Sequence, residues 1–272
     1  MKSKVRLYGF PGPFLSRLEK DLKDQGFIVS PSESRATLLN DAIAVNAYPL
    51  QACLGENIEA ALEGSRLLAE SEIAQGLPVI YLSNYRVFGG GDSLTWEEQS
   101  EPEPDCELSQ ALNAMERQVL ALPQGMVLRI SWLLDGHYGL LPSLLGWLKQ
   151  KKKLSYSPVA RGCPTSQEDM VRVLSAMLRQ IRCGIESYGI FHYCSGDVCS
   201  MLEFAQAVRE HVSDRVSVPL AEIHEAEEAE SVLSAVLSSG RIRDTFGIQQ
   251  RSWRQGLPEL LEDWVVQEAS CS

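Results

Sequence analysis

Short apolar runs alternate with longer segments whose apolar residues recur at helical spacing, and this rhythm organises the first 135 of the 272 residues. Residues 5–8 read as a strand. Residues 14–25 repeat apolar positions every three or four residues until Gly26 stops the pattern, which predicts an amphipathic helix. A second short strand falls at 27–30. The apolar runs at 42–46 and 79–83 predict strands buried on both faces, on either side of a long helix over 57–75 with Gly76 as its cap. A further helix at 105–122 and a strand at 126–130 continue the alternation. Repeated βαβ units predict a parallel sheet with helices on both faces, a Rossmann-like doubly wound α/β fold. Only about a dozen residues separate the strands at 27–30 and 42–46, too few for a full helix and strand between them, so a shortened sheet edge is expected.

The second half changes character. Helices are predicted at 140–152, 167–182 and 201–212, with a strand at 189–193. Pro219 and the acidic run 222–230 read as a surface loop with a solvated face, leading into short terminal helices, and residues 267–272 as a frayed end. The pattern suggests a Rossmann-like α/β core over 1–135, with residues 136–272 completing the sheet and adding a small, mostly helical lobe.

Composition narrows the function. With 25 basic and 36 acidic residues the formal charge is −11, which argues against nucleic acid as a partner. The basic run at 149–153 reads as a solvated helix end. No run of some 18 apolar residues supports a membrane span, and the N-terminus enters a strand directly, so a cytoplasmic location is expected. Seven cysteines without a tight framework read as reduced thiols. Cys194 and Cys199 are the closest pair but lack zinc-site spacing, and the four histidines carry no metal-ligand pattern, so no metal is expected. His192 falls in a predicted strand and reads as packing. Trp132, Trp147, Trp253 and Trp264 read as core or helix anchors rather than stacking platforms. There is no G-x-S-x-G elbow and no G-x-x-x-x-G-K-[ST] loop, which leaves a hydrolase triad or a P-loop NTPase without support.

One segment does carry binding chemistry. Gly9-Phe10-Pro11-Gly12-Pro13-Phe14-Leu15 follows the first strand and opens the first helix, where a dinucleotide fold places its phosphate turn. Gly9 permits the tight turn, and Gly12 lets backbone N–H groups approach a pyrophosphate at the positive helix end. The third position, normally small, is Leu15, and Pro11 and Pro13 remove two backbone donors. Where an acidic residue usually holds the ribose, the chain offers Ser30, Ser32, Glu33 and Arg35, and Arg35 is placed either to meet a 2′-phosphate or to lie on the surface.

A set of ordered motifs then resembles the extended short-chain dehydrogenase/reductases, and most of all their dTDP-4-dehydrorhamnose reductase branch. Ala44-Val45-Asn46-Ala47 resembles that family's N-A-A segment, and Gly64 to Ala69 its G-x-x-x-L-A helix. Ser83-Asn84-Tyr85-Arg86-Val87-Phe88-Gly89 resembles S-T-D-Y-V-F-D, and Leu128 to Trp132 resembles L-R-T-S-W. Gly162-Cys163-Pro164-Thr165 with Asp169 resembles G-S-P-T-x-x-x-D. Gly189 to His192, Glu203-Phe204-Ala205, Phe246-Gly247 and Trp253-Arg254 resemble the remaining signatures. The resemblance implies NADP or NAD as cofactor, held by Gly9, Phe10, Pro11, Gly12, Arg35, Asn46, Ala47 and Ser83. It also implies a nucleotide or nucleotide-sugar as ligand, and a homodimer formed through helices 57–75 and 105–122.

The family's reductive chemistry needs a Tyr-x-x-x-Lys pair on one helical face, where the cation lowers the phenol's pKa, and a Thr or Ser at the preceding strand end. Matching Glu116 to the family's glutamate of K-L-x-G-E puts Leu108 and Leu112 at the Tyr and Lys positions, with Asn84 at the hydroxyl. No Tyr lies between Tyr85 and Tyr138, and no Lys between Lys23 and Lys149, so no shift of register restores the pair. No catalytic residue is therefore assigned; Tyr81, Tyr85 and Arg86 near the strand end read as packing and surface residues around a former site. Val159-Ala160 replaces the family's acidic-Gln pair, and the segment between Gly136 and Gly162 is short. Three readings stay open: a pseudoenzyme that binds a nucleotide or a protein partner, an NAD(P)H-dependent oxidoreductase with unusual residues, and a scaffold subunit with no small-molecule ligand.

Overall fold

The computed structural model describes residues 4–31, 42–53, 55, 58–75, 78–89, 94–226 and 234–270. Strand β1 (Lys4–Tyr8) runs into helix α1 (Pro13–Asp24), whose Pro13 stands in the first turn where its missing N–H costs nothing. Strands β2 (Ile28–Pro31) and β3 (Ala42–Asn46) follow, then helices α2 (Tyr48–Cys53) and α3 (Ile58–Gln75), and strand β4 (Val79–Asn84). A 3₁₀ turn over Tyr85–Phe88 leads on to α4 (Glu107–Leu120) and β5 (Gly125–Ile130). The short strand β6 (Leu133–Leu134), helix α5 (Leu140–Gln150) and strands β7 (Lys153–Tyr156), β8 (Arg161–Gly162) and β9 (Thr165–Ser166) precede α6 (Gln167–Arg182). The chain ends with β10 (Gly189–Tyr193), β11 (Cys199–Ser200), α7 (Met201–Ser213), β12 (Glu222–Glu225), α8 (Gly240–Phe246) and α9 (Trp253–Ser270).

Six strands form one parallel sheet in the order β2-β1-β3-β4-β5-β10. Strand order reverses between β1 and β3, the place where ligands of open α/β sheets bind, beyond the strands' carboxyl ends. Register brings those ends level: Tyr8 lies beside Asn46, Asn46 beside Tyr81, and Asn84 beside Ile130. Among the described residues β2 is the edge of the sheet, and residues 32–41, on which the expected shortening falls, lie outside them. Strands β3 and β4 are buried along their whole length, as their unbroken apolar sequences require.

One face of the sheet packs against α1, α6 and α8 through Leu18, Leu22, Met170, Leu174 and Phe246. The other meets α4 through Met115 and Val119. Helix α6 is set by its own sequence: the Ser166 side chain caps the Asp169 amide, Glu168 and Asp169 favour the first turn, and Arg179 and Arg182 favour the last. A second apolar core joins α5, α7 and α9 around Leu144, Phe204, Trp253 and Leu261. Gly162 is fixed by packing, because a Cβ there would lie 2.3 Å from Trp132 Cε2.

Several expectations are corrected. Part of the acidic run is not loop: β12 pairs in parallel with β7, so Glu222–Glu225 are held in a small sheet, while 227–230 lie outside the described residues. The chain ends in an 18-residue helix rather than short ones, and 267–270 belong to it. Helix α5 stops at Gln150, because residues 153–156 are drawn into that pairing with β12. Gly76 also lies outside the described residues.

Candidate functional site

The turn between β1 and α1 is held by its neighbours rather than left open. A Cβ on Gly9 would lie 2.8 Å from Gln51 Oε1 and 2.9 Å from Leu15 Cδ1, so only glycine fits. Gln51, buried on α2, clamps the next residue from both sides: Phe10 N donates to Gln51 Oε1 at 2.7 Å, and Gln51 Nε2 donates to the Phe10 carbonyl at 2.8 Å. Gly12 heads α1 with open space where a side chain would stand. Asp135, which accepts from the amides of His137 and Tyr138 and from the side chain of Gln167, closes over the turn with Leu133. The space left there is about 10 Å³. A pyrophosphate at this turn relies on backbone donors. Phe10's is taken and Pro11 and Pro13 have none, which leaves the amides of Gly12, Phe14 and Leu15 at the head of α1 as the turn's backbone donors for that group.

The other expected cofactor contacts are also engaged or enclosed. Asn46 donates to Ser65 Oγ at 3.0 Å and accepts from the Tyr48 amide, tying β3 to α2 and α3. The Ala47 amide bonds the Tyr8 carbonyl at 2.8 Å. Ser83 is buried, with an unpartnered hydroxyl. Arg35, Ser32 and Glu33 lie outside the described residues.

Further along the carboxyl edge of the sheet a cleft of about 480 Å³ opens beyond β4 and β5. Asn84 lies at its floor with its amide used in structure, accepting from the Arg86 amide at 3.2 Å and donating to the Ser131 carbonyl at 3.4 Å. Leu108 is half-buried and lines the wall; Leu112, one turn further, is fully buried among Val87, Phe88, Trp96 and Cys163. The helical face that would carry a phenol and an ammonium group is therefore apolar on its exposed step and core on its inner one.

The polar groups of the cleft are Tyr85, Arg86, Cys53, Asn84, Ser131 and Ser143. Burial pushes the Tyr85 hydroxyl up, partly offset by Arg86, and burial pushes the Cys53 thiol up to about 12 against the same cation. Both are neutral at pH 7 and neither is a ready acid. Tyr81 is packing, fully buried below the cleft, whereas Tyr85 and Arg86 face into it, which the sequence reading missed. Trp147 is a second correction: it is 40 % exposed and lines the cleft instead of anchoring a helix in the core. Trp132, Trp253 and Trp264 do pack in or against the second core.

Beneath the cleft, Arg129 and Glu116 form a fully buried ion pair, with Arg129 Nη2 2.7 Å from Glu116 Oε2 and Nε bonded to both carboxylate oxygens. Phe88 stacks on Trp96 at 4.3 Å between centroids and receives Arg129 at 4.8 Å on its ring. His192 is buried against the same Phe88, and neither ring nitrogen makes a well-formed hydrogen bond. Cys194 neighbours Cys163 rather than Cys199, and the hydrogen bond from Cys163 holds its pKa down. Among the described residues no three His, Cys, Asp or Glu side chains are placed to hold a metal ion, and no helix is long and apolar enough to cross a membrane.

Comparison with known proteins places this geometry. Residues 55–266 match the RmlD substrate binding domain family. The chain is 26% identical over 256 residues to a dTDP-4-dehydrorhamnose reductase of Aggregatibacter actinomycetemcomitans, covering 90% of this chain and 87% of that protein. The solved dTDP-4-dehydrorhamnose reductase from Clostridium acetobutylicum superposes with a TM-score of 0.75 at 20% identity, covering 96% of this chain and 99% of that one. The Bacillus anthracis reductase in complex with NADP superposes with a TM-score of 0.70 at 19% identity, covering 97% and 99%.

Proposed function

Because the chain belongs to the RmlD substrate-binding-domain family, and its matched relatives include dTDP-4-dehydrorhamnose reductases, we propose that it keeps the family's cleft as a ligand-binding site and has lost hydride transfer. The observation that carries this is the pair Leu108 and Leu112. The first lines the cleft where a proton donor is needed, and the second is sealed in the core. A leucine can neither exchange a proton nor orient a ribose, and the nearest phenol, Tyr85, is held neutral by burial. In this reading residues 1–135 are the nucleotide-binding core and 136–272 the lobe that covers the cleft. The ligand is a nucleotide or nucleotide-sugar bound without turnover.

A dinucleotide of the NADP kind reaches this chain only if Gln51 releases Phe10, since the turn has little room otherwise. The test is to incubate the purified protein with NADPH and a dTDP-4-keto-6-deoxy sugar while following NADPH absorbance. Oxidation no faster than in buffer is expected. Turnover at an enzymatic rate would refute the proposal.

A further inference from the structure

The protein carries a net charge of −11, yet among the described residues lining the cleft Arg86 is the single charged side chain, with no carboxylate beside it. The ionisable groups around Arg86 are the Tyr85 hydroxyl and the thiols of Cys53 and Cys106. Among the described residues the guanidinium's hydrogen-bond partner is the Tyr85 hydroxyl, not a carboxylate. Arg86 is solvent-exposed, with its backbone amide bonded to Asn84 and its guanidinium hydrogen-bonded to the Tyr85 hydroxyl on the cleft wall.

Much of the remaining surface is apolar. Leu108, Trp132, Leu140 and Met201 line the interior, and Ile58 and Trp147 stand at 42 % and 40 % exposure with their side chains on the same cleft. Lys151 lies over the Trp147 ring with Nζ 5.4 Å from its centroid, which adds positive potential on that side. A cation that meets a hydroxyl rather than a carboxylate, on a mostly apolar wall, recognises the converse shape: an apolar or aromatic body carrying one anionic group.

The geometry points to a small organic anion as the ligand of this cleft, its charged group on Arg86 and its apolar body against Leu108 and Trp147. This rests on the proposed loss of hydride transfer, because it puts the ligand's charge next to the position that a proton donor would occupy. It goes further in naming Arg86 and Trp147 as the residues that hold it. Neither stands out in the sequence as a binding residue.

The experiment is a fluorescence titration with two probes of nearly the same aromatic body, anilinonaphthalene sulfonate and the uncharged N-phenylnaphthylamine. Wild type, Arg86→Gln, Arg86→Lys and Trp147→Ala are compared. The sulfonate is expected to bind at one site about tenfold or more tighter than the neutral probe. Arg86→Gln should reduce it to the neutral probe's level, Arg86→Lys should recover part of the difference, and Trp147→Ala should weaken both probes. Equal binding of the two probes, or sulfonate binding indifferent to Arg86→Gln, would overturn the inference.

Thymidine diphosphate added as competitor separates this inference from the nucleotide reading. Displacement of the sulfonate supports both. Arg86-dependent sulfonate binding that thymidine diphosphate cannot displace leaves the inference standing and removes the nucleotide. Thymidine diphosphate binding that is unchanged in Arg86→Gln does the opposite.

Discussion

Replacing His192 by leucine should make the protein more stable, and more so at lower pH. His192 is fully buried, and its pKa is lowered to about 3 by burial first and by Arg129 second. The nearby Trp96 backbone favours the charged form only weakly. The direction follows from proton counting. Above the unfolded value of 6.5 both states are neutral; between 6.5 and about 3 the unfolded chain binds a proton that the folded chain refuses. Folding stability therefore falls as pH drops through that window. Integrating the linkage with these two values gives a loss of about 2 kcal/mol between pH 7 and pH 5 from this residue alone. At pH 7 the leucine also removes two ring nitrogens that lack well-formed partners, worth roughly 1 kcal/mol. Urea unfolding of wild type and His192→Leu at both pH values measures this, because the carboxylates titrate in common and cancel in the difference. With a slope of about 3 kcal/mol per molar urea, the gap between the two midpoints should widen by roughly 0.7 M on going to pH 5. Parallel pH profiles would show that His192 is not held neutral, and the reasoning would fail.

Other perturbations test the site. Gln51→Ala should cost about 1–2 kcal/mol by deleting the two bonds to Phe10, yet raise NADPH affinity in calorimetry, since the Phe10 amide becomes free to donate; unchanged affinity would mean that Gln51 does not hold the turn closed. Leu112→Lys should destabilise by about 3 kcal/mol or more and restore no reductase activity, because the ammonium group has no partner in that core; a well-folded variant by thermal melting would contradict the packing. Glu116→Gln should cost about 3–5 kcal/mol in urea unfolding by stranding Arg129, whereas Glu116→Leu with Arg129→Met should cost much less. A double variant as unstable as the single one would show that the pair is needed for more than mutual neutralisation.

Much of the sheet was readable because its strands are buried on both faces and leave unbroken apolar runs. Helix α6 was readable to the residue because the Ser166 side chain caps its start and Gly184, with φ 96°, follows its end. The loss of the proton-transfer pair was equally legible, since it rests on the absence of Tyr and Lys over a long span. What escaped depends on contacts distant in sequence. Gln51 looks like any polar helix residue until the fold brings it to Phe10, 41 residues away. Arg86 looks like a surface arginine, and Trp147 like a helix anchor, because nothing nearby says which face of α5 borders a cleft. The acidic segment failed for a related reason: Glu222–Glu225 extends because β7 offers it an edge, not because of its own composition.

The place of β10 bears on how the chain acquires its fold during synthesis. The sheet's sixth strand is made 63 residues after β5 ends, counting from Ile130 to Tyr193. At about 5–20 residues per second, β5 waits roughly 3–13 s with an unpaired edge. That edge belongs to a strand buried throughout in the finished protein, so in the interval it is open to pairing with other nascent chains. His192 and Phe191, which arrive on β10, close it beside Arg129 and Leu128. Chain release just before residue 193 would therefore yield an aggregation-prone fragment of 192 of the 272 residues rather than a smaller folded protein.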